Sequence, residues 1–553
     1  VLWPDGVPPT KTTQDLDAQC IRDLGLDSVV RSLSTGPFGR SKAHDILLSL
    51  TTDPAVIRYR QEIVADLSQN LPLTQRLEEL LPEISALDSY RSAVDRDRST
   101  LQDVTWRLGE LEEFVSVVRG LTAAFQETAG ELQSAGLREL RQLVMETAAD
   151  ETYQQMAQAL PEMLKTMRAK KSVTIGVNLD RRLRPKAATL ISVNDQEFAK
   201  SGFVERLFGL NTSLEGIGPL HTVPEIDRQS AQGGEWANRE VNPMLVPLFK
   251  DLARILDSIA QPIADALRAF VSVRTSFLAA LSGDIAFYLA AVRLMERLQT
   301  RGLPIARPEI VPAEQRIFEL EQAYNLNLAL HLAGYENLQE MLVQNDVPMN
   351  ESGRIFILTG PNQGGKTTYT QMVGLVQILA QAGLWVPAAA ARVSPVDNIY
   401  THFPIEEKLE KATGRFGDEA QRFHEIFARA TPQSLILLNE SLASTSPGES
   451  LYIAQDLVRM MRRMGVRAIF NTHLHELADT VDELNSKEEG ASRVVSLVAS
   501  RIEVDADDKL SRSYKIAPGR PLGRSYAREI AAKYGISYQQ LEEQLKTRGV
   551  LGN

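Results

Sequence analysis

Eight consecutive residues, Gly360, Pro361, Asn362, Gln363, Gly364, Gly365, Lys366 and Thr367, match the pattern GxxxxGK[ST]. A run of this kind does one sort of chemistry: its glycines let backbone N–H groups close around phosphate oxygens, and the helix that follows adds partial positive charge. Lys366 is then expected to reach the β- and γ-phosphates and the Thr367 hydroxyl to reach Mg²⁺, with Thr368 extending the nucleotide-binding run. The ligands implied are ATP and Mg²⁺. The context agrees, with an apolar strand from Arg354 to Leu358 before the run and a helix beginning near Lys366.

Two further segments offer groups that act on a bound phosphate. Leu435 to Leu438 reads as an apolar strand ending in Asn439 and Glu440, where Asp then Glu would be expected. Glu440 is the candidate general base. Asn439 is the candidate second Mg²⁺ residue; it can hydrogen-bond a metal-bound water but removes a negative charge from a hard-cation site, which predicts weaker metal binding or turnover. His473, in Thr472 to Glu476 after another apolar strand, is expected to sense the γ-phosphate and position water. Taken alone, that segment reads as a surface loop.

These groups need elements to hold them, and 553 residues suggest three or four folded units. From about residue 15 to 170 the pattern is helical, and Leu101, Val104, Leu108, Leu111, Val115, Val118 and Phe125 form one apolar seam. A second seam, Leu245, Leu248, Leu252, Ile255 and Ile259, opens a helical stretch to about residue 301, kinked at Pro247 and Pro262. Between them Val173–Val177 and Thr189–Val193 read as strands, followed by a Gly- and Pro-punctuated stretch from Gly216 to Gly234. After Gly353, strand-length apolar runs alternate with helical segments, the pattern of a largely parallel sheet.

Composition narrows the function classes. Hydrophobic residues at 43% and charged residues at 24% describe a folded protein rather than a disordered or fibrous one. Cys20 is the sole cysteine, which excludes an intrachain disulfide or a cysteine zinc cage and makes the cytoplasm the default location. The longest nearly apolar run, Phe277 to Val292, carries Asp284 and is too short for a membrane helix, so it reads as core and no membrane partner is expected. The first residue is Val, so a leader cannot be read from this sequence.

Taken together the motifs resemble the MutS family: TGPNQGGKTT as its Walker A, LILLNESLASTS as its Walker B and following loop, and FNTHLHEL as its His switch. QAGLWVPA, VDNIYTHF and YKIAPGRPLGRSYAREIAAKYGI continue the likeness, and upstream so do the run from Leu26 to Leu67 and SFLAALSGDIAFYLAAVRLM. The resemblance implies a multidomain protein with an all-α core and lever region and a small β-containing clamp-like insertion, followed by an α/β P-loop ATPase domain of ABC type. The corresponding boundaries are 1–171 for core and first lever, 172–235 for the clamp, 236–335 for the returning lever and 336–553 for the ATPase. It also implies a homodimer with composite sites.

Departures from the family matter as well. The chain begins at the core, so the family's mismatch-reading domain is expected to be absent. The signature segment that reaches the partner's nucleotide appears as Gly414, Arg415, Phe416, Gly417, Asp418 and Glu419, without its usual Ser and Thr. Leu342 stands where an aromatic often meets adenine, with Tyr514 on the other side.

In an acidic chain of net charge −11, Lys165, Arg168, Lys170, Lys171, Arg181, Arg182, Arg184 and Lys186 concentrate positive charge against only Asp180. At the expected clamp such a cluster suits sequence-independent contacts to DNA phosphates. The leading expectation is therefore an ATP-gated DNA-binding dimer. The alternatives are a slow or non-hydrolysing ATP-gated scaffold, or a relative acting on branched DNA, RNA or ribosomes.

Overall fold

The computed structural model describes residues 15–34, 36–92, 100–128, 130–168, 172–179, 181, 185–194, 196, 262–267, 276–361, 364–404, 415–442, 444–487, 489–499, 502–504, 510–521, 534–548 and 550. The seam from Leu245 to Ile259 and the stretch from Gly216 to Gly234 lie outside them. The chain divides into two compact units, one made of 1–81, 124–142 and 281–553, the other of 82–123 and 143–280.

The first unit opens with α1 (Ala18–Leu24), α2 (Leu26–Ser32), α3 (Gly36–Leu48) and α4 (Pro54–Gln69). Asp17 caps α1 by accepting from the Cys20 N–H at 2.8 Å, and Gly25 turns the chain into α2 with a φ of 64°. Asp53 caps α4, with Pro54 pre-set for its first turn. Near the far end of α4, buried Asp66 accepts from the Ser134 N–H and hydroxyl at 2.8 and 2.7 Å. That tie fastens α4 to the segment after the next two helices.

The helices continue as α5 (Leu71–Ser92), α6 (Thr100–Glu127), α7 (Ala135–Ala149) and α8 (Glu151–Arg168), then the hairpin β1 (Ser172–Leu179) and β2 (Pro185–Asn194), then α9 (Ser276–Thr300). In the second unit the predicted seam of α6 is buried from Val104 to Val118. Phe114 there meets Tyr153 and Phe277 edge-on, with ring centroids 6.0 and 6.2 Å apart. The two runs read as strands from the sequence are strands, and they pair antiparallel from Ser172 opposite Asn194 to Leu179 opposite Pro185.

The apolar run in α9 is core, with Ile285 to Val292 all buried, and Asp284 pairs with Lys42 at 2.7 Å. Among the described residues no helix is long and apolar enough to cross a membrane.

The remainder of the first unit is built on two larger sheets, beside a two-stranded one that pairs Ile502–Val504 with Leu510–Arg512. One takes β3 (Glu309–Ile310), β4 (Phe318–Ala323), β5 (Asn345–Met349) and β7 (Ala390–Val393) in the order β3-β7-β4-β5, so it draws on both sides of residue 336. The other takes β6 (Ile355–Thr359), β8 (Ile399–His402), β9 (Leu435–Asn439), β10 (Arg467–Asn471), β11 (Val494–Ala499) and β12 (Ile516–Pro518). Its order is β12-β11-β6-β10-β9-β8, parallel throughout except for β12.

Every residue of β6, β8, β9 and β10 is buried, as expected of parallel strands covered on both faces. Three long helices pack on this sheet, α10 (Lys366–Gln381), α11 (Arg415–Arg429) and α12 (Pro447–Met464), joined by two short ones, His475–Asp479 and Val481–Lys487. Ile355 and Ile357 of β6 share a core with Phe423 and Ile426 of α11 and Val458 and Met461 of α12.

Candidate nucleotide-binding site

Parallel sheets of this kind offer ligand sites beyond the carboxyl ends of their strands, where the loops leave. Here β6, β10 and β9 lie side by side, so the segments after residues 359, 439 and 471 are neighbours although up to 112 residues separate them in the chain.

The loop after β6 is shaped by its glycines. Gly360 has a φ of 139°, and a Cβ there would stand 2.8 Å from the Ala499 carbonyl oxygen; a Cβ on Gly364 would stand 2.9 Å from that of Pro361. Gly365, with a φ of 84°, opens α10. Lys366 is 3% exposed and its ammonium donates to the Gly360 and Pro361 carbonyls at 3.0 Å each, drawing the loop around it. Burial lowers the Lys366 pKa, and the Glu440 carboxylate works in the opposite direction. Asn362 and Gln363 lie outside the described residues. Thr368 holds the helix start in place, its carbonyl accepting from Asn325 Nδ2 at 2.9 Å.

Thr367 and Asn439 come together as the sequence suggested. The Thr367 hydroxyl donates to Asn439 Oδ1 at 3.0 Å, and the same oxygen accepts from Asn471 Nδ2. Asn471 lies directly across the ladder from Asn439, and its own Oδ1 is buried without a hydrogen-bond partner among the described residues. Next to Asn439, the Glu440 N–H donates to the Asn471 carbonyl at 2.8 Å, which holds Glu440 at the carboxyl end of the strand. There Glu440 Oε1 lies 3.0 Å from His473 Nε2. That hydrogen bond is the main reason the Glu440 carboxyl titrates below its usual range; Lys366 adds to the effect and burial opposes it. Both side chains keep solvent access, 34% for Glu440 and 42% for His473.

The loop carrying Glu440 is strained. Glu440 and Leu442 have φ values of 49° and 65°, left-handed conformations that cost a non-glycine residue about 1–3 kcal/mol each. Ties from several elements hold it: Ser441 Oγ lies 2.7 Å from His402 Nδ1, Ser450 donates to the Leu442 carbonyl at 2.7 Å, and Glu419 accepts from the Leu442 N–H and the Ser444 hydroxyl. Burial pushes His402 down to about 4, so it meets Ser441 as a neutral imidazole.

These residues fit Mg²⁺ and a nucleoside triphosphate. Gly360 and Gly364 leave no room for a Cβ, Lys366 and the start of α10 supply positive charge, and Thr367, Asn439 and Glu440 would offer oxygens to a hard cation. Among the described residues no cluster of three or more His, Cys, Asp and Glu offers an alternative metal cage. Tyr514, with a φ of 48°, places its ring 3.5 Å from where a Gly365 Cβ would stand; its carbonyl accepts from Asn345, which also holds the Ile516 N–H.

The remaining candidates are more scattered. Leu342 is 3% exposed and so presents little face to a base. Phe416 and Gly417 are exposed on the first turn of α11, Arg415 is its first residue, and Gly414 is outside the described residues. Lys165, beside Glu162, and Arg181 are exposed; Arg168 closes α8 and Lys186 lies in β2, while Lys170, Lys171, Arg182 and Arg184 are outside the described residues.

Sequence reasoning missed Asn471, Ser441 and His402, and placed Glu419 only at the end of the signature segment. A polar residue ending an otherwise apolar strand was the available signal for Asn471. Nothing in local spacing announces Glu419, whose partners lie 23 and 25 residues away.

Comparison with known proteins agrees with the motifs. A family model described as MutS domain V matches residues 356–547, and one described as the MutS2 N-terminal domain matches 52–301. The DNA mismatch repair protein MutS of Lactobacillus johnsonii is 31% identical over 205 residues, 36% of this chain and 22% of that protein. The proteins of the same name from Caldanaerobacter subterraneus and Brevibacillus brevis are 32% and 30% identical over 204 and 287 residues, covering 37% and 50% of this chain. The matches span 22% and 31% of those two proteins. One model covers the helical region and the other the site built around Lys366, Glu440 and His473, and on that evidence the chain belongs to the MutS family.

Proposed function

We propose that the chain is an ATPase that binds Mg·ATP at the loop from Gly360 to Thr367 and uses its binding and hydrolysis to control a grip on DNA. The observation that carries this reading is the convergence, at the ends of three adjacent strands, of Lys366, the Thr367–Asn439 pair and the Glu440–His473 pair. Bound Mg·ATP supplies the phosphoanhydride to be cleaved and the divalent charge that neutralises its oxygens. The glycine loop and Lys366 hold the phosphates, and Thr367 with Asn439 faces the metal. Glu440, kept ionised by His473, accepts a proton from the attacking water, and His473 orients that water. Tyr514 offers the base a ring beside the loop.

Membership of the MutS family supports the wider reading. Two copies form a homodimer, each lending Gly414 to Gly417 to the other's nucleotide, and the lever and clamp carry the basic cluster from Lys165 to Lys186 to DNA phosphates. Asn439 favours a second reading, an ATP-gated scaffold with slow turnover, because the metal meets a neutral amide instead of a carboxylate.

ATP binding and hydrolysis by the parent, Lys366→Ala and Glu440→Gln, each with and without duplex DNA, branched DNA and structured RNA, separate these readings. Lys366→Ala loses binding, whereas Glu440→Gln binds but does not turn over. Undiminished turnover in Glu440→Gln removes the assigned base, and a parent that binds without hydrolysing selects the scaffold.

A further inference from the structure

We propose that Glu419 is a positioning residue for Glu440, coupling the location of α11 to the aim of the catalytic carboxylate in the same chain. This inference rests on the reading of Glu440 as the base and of the start of α11 as the element that meets a nucleotide.

The geometry is specific. After β9 the chain passes through Glu440, Ser441 and Leu442, with the first and third residues in left-handed conformations that local sequence does not favour. Such a turn keeps its shape only if its polar groups are held from outside. The Glu440 N–H is fixed by the Asn471 carbonyl, at 2.8 Å, within the sheet. The Leu442 N–H, two residues on, is fixed by Glu419 Oε2 at 3.1 Å, and the same oxygen receives the Ser444 hydroxyl at 3.0 Å. One anchor is thus part of the rigid sheet and the other rides on α11.

Phe423 stands one helical turn beyond Glu419, on the same face of α11. Its ring lies against His402, centroids 5.3 Å apart, and His402 in turn meets Ser441. The helix therefore bears on the turn directly through Glu419 and, by way of His402, at Ser441. The same helix begins with Arg415, Phe416 and Gly417, so a displacement at its exposed start is carried to Leu442 through a carboxylate less than two turns away. Glu440 moves with that turn, because the strained residues on either side of Ser441 have one arrangement with Glu419 in place and others without it.

Hydrogen exchange of residues 440–446 in the nucleotide-free full chain, together with kcat and nucleotide affinity, tests this in Glu419→Ala, Glu419→Gln and Ser444→Ala. In Glu419→Ala we expect exchange of the Leu442 amide to rise about tenfold or more while β6 and β10 stay protected, and kcat to fall about tenfold with nucleotide affinity unchanged. Glu419→Gln retains a carbonyl acceptor and recovers most of both losses; Ser444→Ala, which removes one of the two donors, gives a smaller effect. Unchanged exchange at 440–446 in Glu419→Ala overturns the proposal, as does retained kcat where turnover depends on Glu440. If Glu419→Ala loses protection throughout, the Gln and Ser444 variants decide by the same two readouts. A parent without hydrolysis refutes the reading of Glu440 as base, while the exchange result still shows whether Glu419 holds the turn.

Discussion

Replacing Asp23 with Asn tests how the first helix is fastened to α10 and the end of β8. Asp23, 9% exposed, accepts from the Phe403 N–H at 3.2 Å just beyond β8, and its carbonyl accepts from Gln371 of α10 at 2.8 Å. Burial outweighs its hydrogen bonds and the nearby Arg22 and Arg422, and lifts its pKa from 3.8 to about 6. A folded-state pKa above the unfolded one means that the protonated form is favoured on folding. The associated stability is fully present below pH 4 and is lost as pH rises towards 6. Linkage puts the penalty at about 1 kcal/mol at pH 4.5 and about 3 kcal/mol at pH 8. Asn keeps the shape and an acceptor for Phe403 but has no charge to desolvate. Relative to the parent, Asp23→Asn is therefore expected to gain about 2 kcal/mol between pH 4.5 and pH 8. Urea unfolding of both proteins at the two pH values measures this, with exchange of residues 18–24 identifying the relevant transition, since two compact units need not unfold together. A mutant that gains nothing at pH 8, or loses stability there, would show that Phe403 and the arginines outweigh desolvation and that the reasoning is wrong.

Gly360→Ala forces a side chain into a φ of 139° and sets its Cβ 2.8 Å from the Ala499 oxygen; ATP affinity measured by calorimetry should fall at least about tenfold with the fold retained by circular dichroism. Arg467 is fully buried and donates to the carbonyls of Ile317, Ser394, Pro395 and Gln433; Ile317 and Ser394 keep second donors in the Ser394 N–H and Gln377, so Arg467→Met strands the Pro395 and Gln433 carbonyls and is expected to cost about 3–5 kcal/mol in chemical unfolding. Lys165→Ala and Arg181→Ala, at exposed positions of the basic cluster, should weaken duplex binding regardless of sequence and reduce the slope of log affinity against log salt by about 0.9 for each phosphate no longer neutralised, read by fluorescence anisotropy; an unchanged slope excludes these residues from the DNA surface.

Much of this was legible in residue type and spacing. The burial of α6 and α9 followed from periodicity, because a helix must place its apolar residues on one side or be buried all round. The strands β1 and β2 followed from their apolar runs, and the loop before Lys366 from its glycines, since no other residue accepts the Gly360 conformation beside Ala499. Pairing Thr367 with Asn439 was also foreseeable, as both motifs end apolar strands.

Other features depended on the order in which strands lie beside one another. β10 comes last of the three site strands in the chain, yet it is inserted between β6 and β9. Only that insertion sets Asn471 against Asn439 and brings His473 within 3.0 Å of Glu440. The role of Glu419 likewise needs α11 packed against the turn after β9, with partners that no local pattern relates to it. By itself the sequence determined which groups were available and which strand or helix would carry each, because those depend on neighbours a few residues away. The tertiary structure alone decided which groups meet, because hydrogen bonds act over about 3 Å and only the packing of distant strands and helices brings them that close.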